Sequence, residues 1–329
     1  MESSEKKDAL LKVENLNKNF GKKSALKSIS FEVQKGEIFG IIGTSGSGKT
    51  VLLKTLVNFY KPSAGKITFN NLSQKDLKFR KFFGFSTQES CFYPELTTSE
   101  NLHHFGKLYG LDGKIIKERV PELLSLLQLE EAANVISSKL SGGMQKRLDI
   151  ACSMIHKPEL LILDEPTVEL DPILRHGIMD LIERINKEEG ITIIIASHLL
   201  GGIETLCHNV AILHEGEMLK AGSLSKLRED YSLILYGGNA EIFLRTTGDQ
   251  KTLLRDIEKN KTKLGITKIV DHGHECMTIY TKDAEKVINH IMPKFRHMKE
   301  KIAEMRISKP SLTEIFTSLV IKKKKSMEK

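Results

Sequence analysis

The chain has 329 residues, a formal net charge of +8 at pH 7 and four cysteines without a C-x-x-C pair, which is typical of reduced thiols. Its longest apolar runs, residues 160–163 and 191–196, are far shorter than the about 20 residues of a membrane-spanning helix. The polar N-terminal residues predict no signal peptide. Lysines are spread along the chain, with one dense run at 322–325, so we expect no specific nucleic-acid partner.

A glycine-rich segment follows an apolar stretch near residue 40. The apolar run at residues 37–42 predicts a short strand that ends at Gly43, and residues 48–58 predict a helix. Between them, GTSGSGKT fits the pattern G-x-x-x-x-G-K-[ST], whose N–H groups can surround a phosphate at the positive end of a helix. This predicts a nucleoside triphosphate site, with Lys49 at the β- and γ-phosphates and Thr50 on Mg²⁺. The predicted binding residues are Gly43, Thr44, Ser45, Gly46, Ser47, Gly48, Lys49 and Thr50.

Two later segments suit the same chemistry. Residues 140–147 read LSGGMQKR, and residues 159–164 form an apolar run that ends in Asp164. A carboxylate at the tip of a buried strand can hold Mg²⁺ from the side opposite Thr50. Glu165, the next residue, is placed to act as a general base that polarises the attacking water.

Taken in this order, the three segments resemble those of ATP-binding-cassette (ABC) ATPases, whose signature is usually LSGGQ. The resemblance covers about residues 10–227. It implies an α/β fold, a P-loop ABC-type ATPase domain with a mostly parallel sheet and a helical subdomain. It also implies an ATP hydrolase that uses ATP and Mg²⁺, pairs with a second ABC subunit as a homodimer or heterodimer, and drives a membrane-embedded permease from the cytoplasmic face of the membrane.

The resemblance also implies roles for individual residues. Phe20 matches the aromatic residue that stacks on adenine, and Gln88 matches the glutamine that contacts Mg²⁺ and the water. His198 matches the switch histidine near the γ-phosphate, and Asp171 matches the loop that senses the opposite subunit. In this family each ATP lies between the P-loop of one subunit and the signature of the other. Here the signature supplies Ser141, Gly142 and Gly143.

Three positions depart from the family pattern. Met144 replaces the usual glutamine of the signature, a variant familiar among exporters. Val168 and Glu169 stand where many relatives have Ser-Gly, which adds a charge to the loop between subunits. Phe20 replaces the commoner tyrosine, which changes little because stacking needs only the ring.

The pattern changes near residue 230, where we predict a domain boundary. The segments that follow predict the order β-α-β-β-α-β, with strands at 241–247, 266–271, 277–281 and 302–307 and helices at 249–260 and 283–298. This predicts a small ferredoxin-like α+β accessory domain. The predicted organisation is therefore an ATP-binding domain at 1–230, an accessory domain with a terminal helix at 231–321 and a basic tail at 322–329.

The segment KPSLTEIF at 309–316 bears on the direction of transport. Ser311 and Glu314 have the spacing of a capping box that opens a helix. A similar ending occurs in ATPases of drug, lipid and polysaccharide exporters, so together with Met144 it favours export. The alternatives are an importer ATPase and an ABC ATPase without a transport role, such as an assembly factor or a ribosome- or DNA-associated protein. A single P-loop argues against a ribosome-associated protein, and the lack of a heptad insertion argues against a DNA-associated one.

Overall fold

The computed structural model describes residues 9–76, 79–236, 240–247, 251–273, 275–295 and 301–327. These residues form two compact units, Met1–Gly222 and Ser223–Lys329. The predicted boundary at residue 230 differs from this division, because helix Leu224–Tyr236 packs against elements of the second unit. No helix in the described part of the chain combines the length and apolar character needed to cross a membrane.

The first unit is built on one ten-stranded sheet. Its strands are β1 (Ala9–Phe20), β2 (Lys23–Gln34), β3 (Ile38–Ile42), β4 (Ala64–Phe69), β5 (Leu72–Ser73), β6 (Phe83–Ser86), β7 (Leu160–Asp164), β8 (Thr192–Ser197), β9 (Asn209–His214) and β10 (Glu217–Ser223). The order across the sheet is β5-β4-β1-β2-β10-β9-β3-β8-β7-β6.

The sheet is mixed, whereas the sequence predicts a mostly parallel one. The block β6-β7-β8-β3-β9 is parallel, and every residue of β3, β7 and β8 is buried, as expected where both faces of a sheet are covered. The block β5-β4-β1-β2 is antiparallel. Only Gly21 and Lys22 separate β1 from β2, and so short a connection requires a hairpin.

Helices cover the sheet and form a separate layer. They are α1 (Lys49–Leu56), α2 (Thr98–Leu108), α3 (Gly113–Leu126), α4 (Gly142–Met154), α5 (Pro172–Glu189) and α6 (Leu200–Leu206). Helix α1 contacts strands of the sheet, and α5 contacts the neighbouring helices α4 and α6. Helix α2 packs on both α3 and α4. The main core lies between α1 and the sheet and includes Phe39, Ile41, Leu52, Leu53 and Phe69.

Side-chain caps fix where several helices begin. Thr97 and Glu100 form a capping box at α2, with each side chain accepting from the other residue's backbone N–H. Helix α5 begins with Pro172 after an aspartate cap and ends at Gly190 in the left-handed conformation, as the usual preferences predict.

The second unit has its own antiparallel sheet and core. Its elements are α7 (Leu224–Tyr236), β11 (Ala240–Thr247), α8 (Lys251–Lys259), β12 (Ile266–Gly273), β13 (Cys276–Thr281), α9 (Ala284–Phe295), β14 (Lys301–Ser308) and α10 (Leu312–Met327). The sheet order is β12-β13-β11-β14, and all three pairs are antiparallel. Its core is formed by Ile242, Leu244, Leu253, Ile257, Val287 and Ile291 together with their neighbours.

From β11 to β14 the elements follow the predicted order β-α-β-β-α-β. The assignment to the ferredoxin-like class stays a prediction. Residues 249–250 and 296–298 of the two predicted helices lie outside the described residues. The capping box is confirmed, since Glu314 N–H donates to Ser311 Oγ at 3.2 Å and Ser311 N–H donates to Glu314 Oε2 at 2.9 Å. Residues 322–327 of the predicted basic tail continue helix α10.

Candidate functional site

The glycine-rich loop joins the end of β3 to the start of α1, as the sequence predicts. Gly46 and Gly48 have φ angles of +77° and +108°, which side-chain-bearing residues rarely adopt. A Cβ atom at Gly43 would lie 2.3 Å from the carbonyl oxygen of Leu213 and 2.5 Å from Ser47 Oγ. The loop therefore needs glycine both for its curvature and for its close contact with the neighbouring strand β9.

Two buried oxygen atoms at the loop have no hydrogen-bond partner in the described part of the chain. They are Ser47 Oγ and Asp164 Oδ1, on residues that are 2% and 1% exposed. Buried polar atoms are normally paired, and an unpaired oxygen is a suitable ligand for a cation or a partner for a polar ligand. The donor set, oxygens of Thr50 and Asp164, is the kind that Mg²⁺ prefers. The residues thus fit the magnesium ion that the sequence predicts.

Asp164 is the last residue of β7 and lies beside Thr50. Burial raises the pKa of its carboxyl group, while a hydrogen bond from the Thr50 side chain acts to lower the pKa. The negative charge of Glu165 raises the pKa further, and the charge of Lys49 lowers it. A nearby cation would favour the charged form, which again suits a metal ligand.

Lys49 is buried under the loop, with only 6% of its side chain exposed. Its Nζ donates to the carbonyl oxygens of Gly43 at 2.9 Å and Thr44 at 3.2 Å. It also lies 3.2 Å from Glu165 Oε1, so that the ammonium group has a full set of oxygen partners. A buried charge is tolerated only with such pairing.

Glu165 links this lysine to the histidine predicted as a switch. Its carboxylate is 8% exposed, and Oε2 accepts from the backbone N–H of His198 at 3.3 Å. The ring nitrogen Nδ1 of His198 lies 3.0 Å from the same oxygen. Glu165 itself has a φ of +52°, and its N–H donates to Ala196 O at 2.9 Å. Such a backbone conformation costs about 1–3 kcal/mol and is commonly found at functional sites.

A cleft of about 550 Å³ opens above the loop. Of the predicted residues, it brings together Gln88, Glu165 and most of the loop. The residues that line it are Lys23, Ser24, Ala25, Ser45, Gly46, Gly48, Lys49, Thr50, Val51, Gln88, Glu165, Glu215 and Gly216.

The turn between β9 and β10 is a part of the site that the sequence did not indicate. Gly216 N–H donates to Ser47 O at 2.9 Å, and Gly216 O accepts from Lys27 N–H at 2.8 Å. A Cβ atom at Gly216 would lie 2.5 Å from Ala25 O. The available signal was the Glu-Gly pair between two strand-like runs, which predicts a turn but does not show what the turn contacts.

Other predicted residues lie outside the residues that line the cleft. Phe20 ends β1 with 43% of its surface exposed, in edge-to-face contact with Tyr60 at 5.1 Å. Ser141 caps α4 and accepts from Met144 N–H at 3.4 Å, with Gly142 and Gly143 in the first turn. Asp171 caps α5 through two backbone N–H groups at 2.9 Å. The signature residues and Asp171, like His198 and Asp164, are not among the residues that line the cleft.

Comparison with known proteins agrees with this geometry. The family described as ABC transporter matches residues 26–168. The linearmycin resistance ATP-binding protein LnrL of Bacillus subtilis (strain 168) is 32% identical over 313 residues, which cover 94% of this chain and 98% of that protein. Nod factor export ATP-binding protein I of Rhizobium sp. (strain N33) is 35% identical, covering 82% and 85%. Methionine import ATP-binding protein MetN 1 of Bacillus cereus is 36% identical, covering 66% of each.

A solved structure extends the likeness to the fold. The dimeric structure of a post-hydrolysis state of the ATP-binding cassette MJ0796, bound to ADP and Pi, has a TM-score of 0.59 at 29% identity. The match covers 65% of this chain and 98% of that one. Fold and site together define an ATP-binding cassette of the α/β P-loop class. This chain belongs to the family of ABC transporter ATP-binding proteins, whose members work with membrane permease components and dimerise.

Proposed function

We propose that this chain hydrolyses Mg-ATP in a site completed by a second cassette, and that hydrolysis drives a separate membrane permease. The observation that carries the proposal is the position of Glu165, a nearly buried carboxylate between Lys49 and His198 at the cleft of the phosphate loop. A carboxylate held in this way can accept the proton of an attacking water, which is the task of a general base.

The surrounding residues have complementary tasks. Lys49 and backbone N–H groups of the loop before α1 hold the phosphates, since they concentrate positive charge at the start of that helix. Thr50, Asp164 and Gln88 would hold Mg²⁺, which would neutralise phosphate charge when bound. Glu165 Oε2 takes the proton, and His198 orients that oxygen through its backbone N–H and Nδ1. Phe20 offers an exposed ring on which the adenine stacks.

A second subunit supplies the remaining groups. Ser141, Gly142 and Gly143 open helix α4, and the positive end of that helix suits a γ-phosphate. As the family resemblance implies, we infer that they act on the nucleotide of the partner, with Asp171 beside the shared interface. The dimeric state of the structural relative bound to ADP and Pi supports this arrangement.

The proposed direction of transport is export. Met144 and the segment 309–316 favour it, and the names of two relatives concern linearmycin resistance and Nod factor export. An importer remains the second candidate because a methionine import protein is similarly related. In either case we place the protein at the cytoplasmic face of the membrane, bound to its permease.

Substitution of the general base tests the proposal. Glu165→Gln keeps the shape of the side chain but cannot accept the proton, so we expect turnover to fall about 10²- to 10⁴-fold. Affinity for a fluorescent ATP analogue should stay within about twofold, because the phosphate contacts remain. A purified variant that hydrolyses ATP at the wild-type rate would rule out this role for Glu165.

A further inference from the structure

Gln88 lies on a short segment, residues 86–91, that forms hydrogen bonds with two side chains of helix α4, Lys146 and Asp149. Asp149 Oδ1 accepts from the backbone N–H of Cys91 at 2.8 Å, and its other oxygen accepts from Ser86 Oγ. Lys146 Nζ donates to the backbone carbonyl of Thr87 at 2.9 Å. The backbone is therefore held on both sides of Gln88, by two side chains of one helix turn.

The two side chains that hold the segment are buried, and their charges are paired. Asp149 is fully buried, Lys146 is 9% exposed, and Lys146 Nζ lies 3.5 Å from Asp149 Oδ2. Ser86 is also fully buried at the end of β6. A buried ion pair adds little net stability compared with apolar packing, so its value lies in the geometry that it enforces. Here that geometry concerns two backbone groups on either side of Gln88, the Thr87 carbonyl and the Cys91 N–H, and the side chain of Ser86.

Within residues 86–91, Gln88 belongs to the exposed stretch 88–91, which follows the buried Ser86. Gln88 lines the cleft together with Lys49 and Glu165, whereas Lys146 and Asp149 do not. Helix α4 begins at Gly142, directly after Ser141, so the signature lies in its first turn and Lys146 and Asp149 follow in the next turns of the same helix. Because a helix moves largely as a rigid body, a shift of its first turn displaces the segment that Asp149 holds.

We propose that Asp149 and Lys146 are positioning residues that set the place of Gln88 in the cleft and tie it to the signature helix of the same chain. The proposal rests on the proposed ATPase function and adds residues that the motifs do not contain. Engagement of Ser141 by a partner's nucleotide would thereby shift Gln88, which in the proposed function would contact the metal and the attacking water of the chain's own site.

The test combines Asp149→Asn with Gln88→Ala. Asparagine keeps the size of the side chain but cannot accept from both Ser86 and Cys91 while it faces Lys146. We expect kcat of Asp149→Asn to fall about 10- to 100-fold, as for a catalytic group displaced by about 1 Å, with the Kd for a fluorescent ATP analogue within about twofold. Since the residue acts through Gln88, the double variant should be no slower than Gln88→Ala alone.

Hydrogen–deuterium exchange gives a readout that does not depend on turnover. In the nucleotide-free protein, amides of residues 86–91 should exchange about tenfold faster in Asp149→Asn, because the Cys91 N–H loses a charged acceptor. Glu189→Gln is the matched control. It breaks the ion pair with the buried Arg119, at 2.9 and 3.0 Å, without touching this segment, so exchange at 86–91 and kcat should stay at wild-type values.

The outcomes separate this inference from the proposed function. A wild-type chain without ATPase activity contradicts the function, and exchange at 86–91 then decides the positioning role alone. Losses of kcat that add in the double variant, or unchanged exchange at 86–91, would overturn the inference. If Asp149→Asn does not fold, as judged by circular dichroism, Ser86→Ala removes a single donor and should change kcat and exchange in the same direction.

Discussion

Lys49 offsets the negative charge of Glu165 in the site, because its ammonium group contacts that carboxylate as well as two loop carbonyls. A triphosphate that enters the cleft offers the same ammonium group new anionic partners. Glu165 would then have its oxygen Oε1 free for the attacking water, while Oε2 keeps its contacts with His198. The contacts of Lys49 would thus link phosphate binding to the release of Glu165 Oε1, the oxygen of the proposed general base.

Removal of this lysine should weaken binding itself. A hydrogen bond to a charged group is worth about 1.5–3 kcal/mol, so we expect Lys49→Ala to lower ATP affinity roughly 10- to 100-fold. Lys66→Ala, an equal change of charge at an exposed position of β4, should bind as the wild type does. Titration of a fluorescent ATP analogue measures both, and equal affinities would contradict the contact between Lys49 and phosphate.

Among the structural elements, the ends of α2 and α4 meet at an aromatic contact. The ring of Tyr109, which caps the C-terminus of α2, stacks on His156 with centroids 3.7 Å apart. His156 Nε2 lies 3.1 Å from Phe83 O and donates to it, and Nδ1 is buried without a partner among the described residues. Burial lowers the pKa of His156 to about 4, so the ring is neutral in the folded protein at neutral pH.

This histidine should make the folded state sensitive to acid. Between its folded pKa of about 4 and its ordinary value of 6.5, the unfolded state binds more protons, so stability falls as the pH falls through this window. A tenfold difference in proton affinity corresponds to about 1.4 kcal/mol, and partial exposure of the ring reduces the total loss of stability to about 2 kcal/mol.

The variant His156→Gln isolates this effect. Glutamine can still donate to Phe83 O but does not titrate, so the variant should lose about 2 kcal/mol less than the wild type between pH 6.5 and 4. Urea unfolding at the two pH values measures the difference. Equal losses in both proteins would show that other groups cause the sensitivity to acid.

The elements that a local pattern defines were the ones predictable from the sequence. The phosphate loop, the buried strand that ends in Asp164 and the helix cap at Ser311 each depend on a few consecutive residues. Gly216 and Asp149 could not be found in this way. Their partners, Ser47 and Cys91, are distant in sequence, and pairing across a fold leaves no periodic pattern. The mixed character of the sheet was missed in part for the same reason: the hairpin β1–β2 is local, but it joins the parallel block through the pairing of β2 with β10, which is distant in sequence.

For the molecule as a whole, the proposed action of Ser141 on a partner's nucleotide predicts complementation between two defective chains. Lys49→Ala is defective in its own phosphate loop, and Ser141→Arg is defective in what it presents to a partner. Each alone should form inactive dimers. A mixture contains heterodimers in which the loop of the Ser141→Arg chain meets an intact signature, so we expect partial recovery of ATPase activity, at most about a quarter of the wild-type rate for random pairing. Full activity of either variant alone would refute the shared site.

The position of the central strands has a consequence for the assembly of the chain. The site draws on the ends of β9, β3, β8 and β7, which are neighbours in the sheet but span residues 38 to 214. Strand β8 separates β3 from β7, so a nascent chain shorter than about 197 residues cannot bring the phosphate loop next to Asp164. Nucleotide binding therefore selects chains in which the sheet is complete. At a concentration about 100 times the Kd, a bound nucleotide would add about 2.7 kcal/mol to the stability of these chains, so a nucleotide that binds here would also act as a ligand for the last stage of folding.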